Sequence, residues 1–127
     1  MSVLSKCIVT VAVAAVATAL VFLLHPLWRS PQAIQEALLK GKPLGSTLSE
    51  VTHWLENEKG LTPKISDTGF LKQEPPAPMA IVGASSIRVE LGEYNLGIFK
   101  TTVTAFWGFD KSGRLIEVWV WKVTDGA

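Results

Sequence analysis

The sequence predicts an α+β fold: one transmembrane helix at the amino terminus, then a small α-α-β-β-β domain built on an antiparallel meander sheet. Three observations lead there. Residues 7–24 form an uncharged apolar run, two capped helical patterns follow within residues 30–60, and the last third alternates apolar and polar residues between turn signals.

The run at residues 7–24 reads CIVTVAVAAVATALVFLL, with Thr10 and Thr18 as its polar members. As a helix these 18 residues cover about 27 Å, close to a hydrocarbon core of roughly 30 Å. Lys6 and Arg29 bracket the run, and Trp28 stands where an interfacial aromatic would. Ala17-Thr18-Ala19 has the side chains of a cleavage site, but Leu20 to Leu24 follow it, so cutting there would leave an apolar stub. Cys7 precedes the apolar run, the reverse of a lipoprotein signal. A domain of about 100 residues has little interior for a helix apolar on every side. Residues 1–29 are therefore expected to be an uncleaved signal-anchor with its flanks, meeting the lipid bilayer through residues 7–24. Residues 30–127 are expected to be the folded domain. Lys6 on a short tail favours a cytoplasmic amino terminus, while Arg29, Lys40 and Lys42 weigh the other way.

Within the domain, Ser30-Pro31 reads as an N-cap and first helical residue, opening a helix over 31–40 with Ile34, Ala37 and Leu38 on one side. Thr47-Leu48-Ser49-Glu50 is a capping-box pattern. It opens a helix over 47–59 whose stripe is Leu48, Val51 and Leu55, with Trp54 at its edge and Gly60 as its stop. Residues 61–66 suit a short strand that Pro63 confines to an edge. Residues 67–78, DTGFLKQEPPAP, read as a loop stiffened by three prolines. Strands are predicted over 80–91, 98–109 and 114–124, with a loop at 92–97 and a turn at Asp110-Lys111-Ser112-Gly113.

The last hairpin is the most informative part. With a bulge at Gly113, Phe109 faces Leu115, Trp107 meets Glu117, Ala105 meets Trp119, and Val103 meets Trp121. The opposite face then carries Phe106, Ile116, Val118 and Val120, with Gly108 leaving room. Both faces are apolar, and two short helices cover only one. The aliphatic set suits the helices. Trp107, Trp119 and Trp121 then lie open as a candidate partner-binding face, with Glu117 and Lys122 as polar rim and Tyr94 on the neighbouring loop. The competing reading makes the tryptophans core, covered by residues 67–78 or the helices; a further bulge would exchange the faces.

Catalytic chemistry finds little material. The 12 Lys+Arg against 11 Asp+Glu leave no electrostatic footprint for nucleic acid. A single cysteine excludes a disulfide framework within the chain, and His25 and His53 are too few for a metal centre. Gly83-Ala84-Ser85-Ser86 lacks the second glycine of a nucleophile elbow. Asp110-x-Ser112-Gly113 lacks the remaining ligands of a calcium loop. The expectation is a non-enzymatic chain with no catalytic residue, cofactor or metal.

Gly45-Ser46-Thr47 followed by Val51 and Leu55, and Phe109-Asp110-x-x-Gly113-x-Leu115 later, carry a resemblance. They resemble the helix opening and the hairpin of small bacterial envelope proteins, and the element order is similar to BamE-type outer-membrane assembly lipoproteins and to the unit of the β-lactamase inhibitor protein. The likeness spans roughly residues 31–123 and departs from the BamE type in lacking a lipid-attachment cysteine. It implies a protein-binding envelope module and no catalytic residue. The chain is thus expected to be a membrane-anchored, non-enzymatic protein-interaction module at a bacterial inner membrane, its domain facing the periplasm. An inhibitor or immunity-type protein that blocks an enzyme is the first alternative. A homodimeric structural domain and a small ligand-binding domain are the others.

Overall fold

Ser30 opens the first helix as its place before Pro31 predicts: its Oγ accepts from the Ala33 N–H at 3.1 Å, starting α1 (Pro31–Gly41). Thr47 caps α2 (Leu48–His53) in the same way, accepting from the Glu50 N–H at 3.1 Å. The computed structural model describes residues 26–125, and in it a 3₁₀ turn (Pro26–Trp28) precedes α1. The helix predicted over 47–59 is α-helical only as far as His53. A π turn (Trp54–Glu58) continues it, with the Lys59 N–H donating to the Trp54 carbonyl at 3.2 Å. The wider turn accompanies the burial of two adjacent large residues, Trp54 and Leu55.

Six strands follow: β1 (Lys64–Ser66), β2 (Phe70–Lys72), β3 (Ala80–Val82), β4 (Ser85–Leu96), β5 (Phe99–Phe109) and β6 (Leu115–Asp125). β1, β4, β5 and β6 form one antiparallel sheet in that order, and β2 pairs with β3 in a separate two-stranded sheet. The predicted fold class is corrected accordingly: the domain has two short helices and six strands in two antiparallel sheets, not an α-α-β-β-β order. The segment expected to be a loop at 67–78 contains β2. The strand expected over 80–91 is two strands, divided at Gly83, whose φ is +86°. The expected loop at 92–97 is mostly strand, because a bulge between Glu90 and Gly92 absorbs the irregularity and lets β4 run on to Leu96. The anchor at residues 7–24 lies outside the described residues; no helix among those described is long and apolar enough to cross a membrane.

The β5–β6 turn forms as its chemistry predicts. Asp110 Oδ1 accepts from the Ser112 and Arg114 N–H groups at 2.9 and 3.0 Å, and Gly113 takes φ +82°. The register beyond it differs from the expectation. Phe109 does face Leu115, but Gly108 then faces Glu117, leaving Ile116 without a partner. This bulge moves every later pair by one residue: Trp107 meets Val118, Phe106 meets Trp119, and Thr104 meets Trp121. Since side chains alternate along a strand, the slip puts Trp107 and the tryptophans of β6 on opposite faces.

The inner face carries Ile87 and Val89 of β4, Val103, Ala105 and Trp107 of β5, and Val118 and Val120 of β6. Ile34, Val51, Trp54 and Leu55 from the helical side complete this core. The Trp107 indole N–H is buried there without an acceptor among the described residues. The outer edge of β6 is also covered. The Leu115 N–H donates to the Ser46 carbonyl at 2.8 Å, the Gly45 N–H to the Leu115 carbonyl at 2.9 Å, and the Val120 N–H to Gln35 Oε1 at 3.0 Å. These bonds occupy edge groups that would otherwise be open to a further strand.

The β2–β3 hairpin folds over the outer face as a flap. Ser86 Oγ donates to the Thr68 carbonyl and the Ala84 N–H to the Phe109 carbonyl, each at 2.7 Å. Gly108 makes the close approach possible. A Cβ there would stand 3.0 Å from both Phe70 Cε1 and Val82 Cγ1.

Two outcomes follow. Gly108→Leu forces side-chain volume between flap and sheet and should destabilise the domain by about 1–3 kcal/mol in urea denaturation, with Trp119 becoming accessible to a collisional quencher. Hydrogen bonds from the Ser112 hydroxyl and the Arg114 N–H hold the Asp110 carboxyl below its ordinary value of 3.8. Its contribution to stability is complete above that value and is lost as pH falls through the lower folded-state value. An NMR titration should place the Asp110 midpoint below 3.8, and Asp110→Asn should flatten the acid limb of the stability profile.

Candidate interaction surface

The outer face is a ladder of cross-strand rows. Arg88, Phe106 and Trp119 form one, Glu90, Thr104 and Trp121 the next, and Glu93, Thr102 and Val123 the third. Phe70 comes down from the flap onto the first row. Its ring centroid lies 5.3 Å from Phe106 and 6.0 Å from Trp119, parallel to the indole within 6°. Phe106 and Trp119 lie 5.4 Å apart, and Trp119 stacks on Trp121 at 5.6 Å and 17°. Four rings therefore run continuously from the flap across the sheet, in offset contacts of the kind aromatic pairs prefer.

The flap covers only part of this row. Trp119 is 3% exposed beneath it, whereas Trp121, one row further, is 41% exposed. Between flap, β1 and the open rows lies a groove of about 600 Å³, with Leu71, Phe106, Trp121 and Val123 among its apolar lining. Lys64 and Arg88 line it too, with no acidic residue among the described residues of its lining; Glu90 shares the adjoining cleft with both cations. Arg88 lies over the Phe106 ring at 6.0 Å, and among the described residues no carboxylate forms a salt bridge with it.

Charge fixes the flap from the other side. Lys72 Nζ sits 3.1 Å from Glu117 and 3.3 Å from Glu74. Burial alone would lower the Lys72 pKa, but the hydrogen bonds and attraction of these two carboxylates outweigh it and the value rises above 10.5. The contribution of Lys72 is therefore present throughout the neutral range and is lost as pH rises through that raised value.

The six residues singled out in the sequence fall into three places. Trp119, Trp121 and Glu117 share the outer face. Trp107 is wholly buried in the inner core, so the proposed set of three tryptophans is corrected to two. Lys122 and Tyr94 belong to the helix side of the sheet. There Lys122 Nζ donates to the Tyr94 hydroxyl at 3.3 Å and to the Arg29 carbonyl, and Trp28 packs on Tyr94 at 6.0 Å. They are not a rim to the tryptophans. Sequence reasoning missed Phe70, Phe106 and Arg88 as members of the outer face. Two β-forming words, Phe70-Leu71-Lys72 and Ala80-Ile81-Val82, flank the proline-rich stretch and could have signalled the flap.

Burial separates the roles of the two outer tryptophans. Trp119→Ala should destabilise by about 3–5 kcal/mol and release the flap, as measured by chemical denaturation. Trp121→Ala should change stability by no more than about 1 kcal/mol, because much of its ring is already in water. Compared with protein-family models, with curated proteins and with solved structures, the chain finds no match.

Proposed function

We propose that this chain is a non-enzymatic protein-interaction module of the bacterial envelope. It is tethered at the inner membrane through residues 7–24, with the domain on the periplasmic side, and its working surface is the open part of the outer aromatic face. The observation that carries this reading is Trp121. A large planar side chain, 41% exposed, continues a stacked row whose other members are buried or half-buried. Val123 extends the same strip, and it too is partly exposed. Exposed apolar strips beside a groove mark contact sites, and tryptophan contributes large contact area with few rotatable bonds. Lys64 and Arg88, the charged residues in the groove's lining, favour a partner that presents carboxylates beside its apolar contact. The tether is supported by the uncharged run of residues 7–24.

A photo-crosslinking amino acid in place of Trp121, in the full chain expressed in a bacterial host, tests the surface. The expected result is one discrete covalent adduct that is absent when the same group replaces Lys111 on the distal turn. Equal labelling at both positions, or none at 121, would overturn the reading. An adduct of twice the chain mass would reassign the face to self-association.

A further inference from the structure

The turn between β4 and β5 is apolar where hairpin chemistry favours polar residues. Two-residue hairpin loops are most often built from Asn, Asp and Gly. Here the loop is Gly97-Ile98 between the paired Leu96 and Phe99, with Gly97 at φ +63°. No charged residue stands between Glu93 and Lys100. Ile98 is 73% exposed and Phe99 45%, and neither belongs to the core cluster. Trp28 lies close by: it is 57% exposed and packs on Tyr94, two residues before Leu96.

This is also the end at which the chain enters the domain. Arg29 lies at Lys122, Gln35 at Val120, and Gly45 at Leu115, so α1 descends β6 from its late residues toward its first. Lys122 pairs with Val103, and Val103 with Gly92, which puts the start of α1 toward the β4–β5 turn and away from the Asp110–Gly113 turn. Only His25 separates the uncharged run of residues 7–24 from the 3₁₀ turn. At no more than about 3.6 Å per residue, so short a connection leaves no room for the domain to stand away from a bilayer that holds the run.

We infer that Ile98, Phe99 and Trp28 form a second contact with the lipid bilayer, the β4–β5 turn entering the headgroup boundary beside the tether; this rests on the tether proposed above. Apolar side chains inserted by a few ångströms at that depth, with tryptophan at headgroup level, are the usual means of interfacial attachment. The strands then stand on the membrane by one end. The Asp110–Gly113 turn is about 35 Å away along β5, at roughly 3.3 Å per residue. The outer aromatic face is turned sideways rather than onto the lipid.

Spin labels on the full chain test this, with Cys7→Ala removing the native thiol. The labelled positions are Ile98→Cys and, as the distal reference, Ser112→Cys. The vesicles are phosphatidylethanolamine with a minor share of phosphatidylglycerol. The expected result is that the label at 98 collides more often with oxygen than with a water-soluble nickel chelate, with the order reversed at 112. If the chain stays with the vesicles through an alkaline wash but the label at 98 behaves as at 112, the turn contact is overturned and the tether stands. If the wash strips the chain, both are overturned. A label at 98 shielded from both agents would assign the turn to a protein contact instead.

Discussion

Ile116 has no partner across the β5–β6 hairpin, and the arrangement of both layers follows from that one unpaired residue. β5 and β6 are apolar on both faces, so the position of the bulge decides which rings enter the helix-packed core and which need other cover. Shifted by one, Trp107 joins Val118 and Val120 inside, and Phe106 and Trp119 turn outward. The outward rings call for a second layer, and the flap supplies it through Phe70. Gly108 lies at a close approach of the two layers, and its missing side chain admits Phe70 and Val82.

The helices and the meander were legible because their signals are local. Ser30 and Thr47 each close a hydrogen bond within three residues, and Asp110 closes its turn within four. The bulge was not legible, because Gly113 and Ile116 offer the chain alternative places for an extra residue, and packing across the whole sheet chooses between them. The flap was obscured for a related reason. Its strands have three residues each and no alternation long enough to read, and the prolines between them resemble an irregular loop. Of the candidate surface, Trp119 and Trp121 were found on the same face because their two-residue spacing survives any shift of register. Trp107 was misplaced because it lies on the other strand. Tyr94 and Lys122 could not be assigned from one strand at a time, since their contact joins β4 to β6 across β5.

The two surfaces described here meet different demands. The outer face combines apolar area with the cations Lys64 and Arg88, features that in the proposed role would select a partner by both shape and charge. The β4–β5 turn is uncharged and small, which suits contact with a medium that has no fixed shape. In the proposed role, their separation along the strands would let one end hold the domain at the membrane while the side of the sheet stays free for a partner.

Ser66 and Ser86 are directly paired, so the chain leaves the sheet and returns to it at neighbouring points, and the whole flap is an excursion between them. Loop closure grows only slowly with length, at about 0.6 kcal/mol per doubling. A change in the length of the excursion therefore costs little in chain entropy, and β1 and β4 can keep their pairing across it. What changes with it is the amount of the aromatic row left uncovered. The segment that sets this cover is thus confined to fewer than twenty consecutive residues, while Trp119, Trp121 and Phe106, the rings it covers or leaves open, belong to strands outside it.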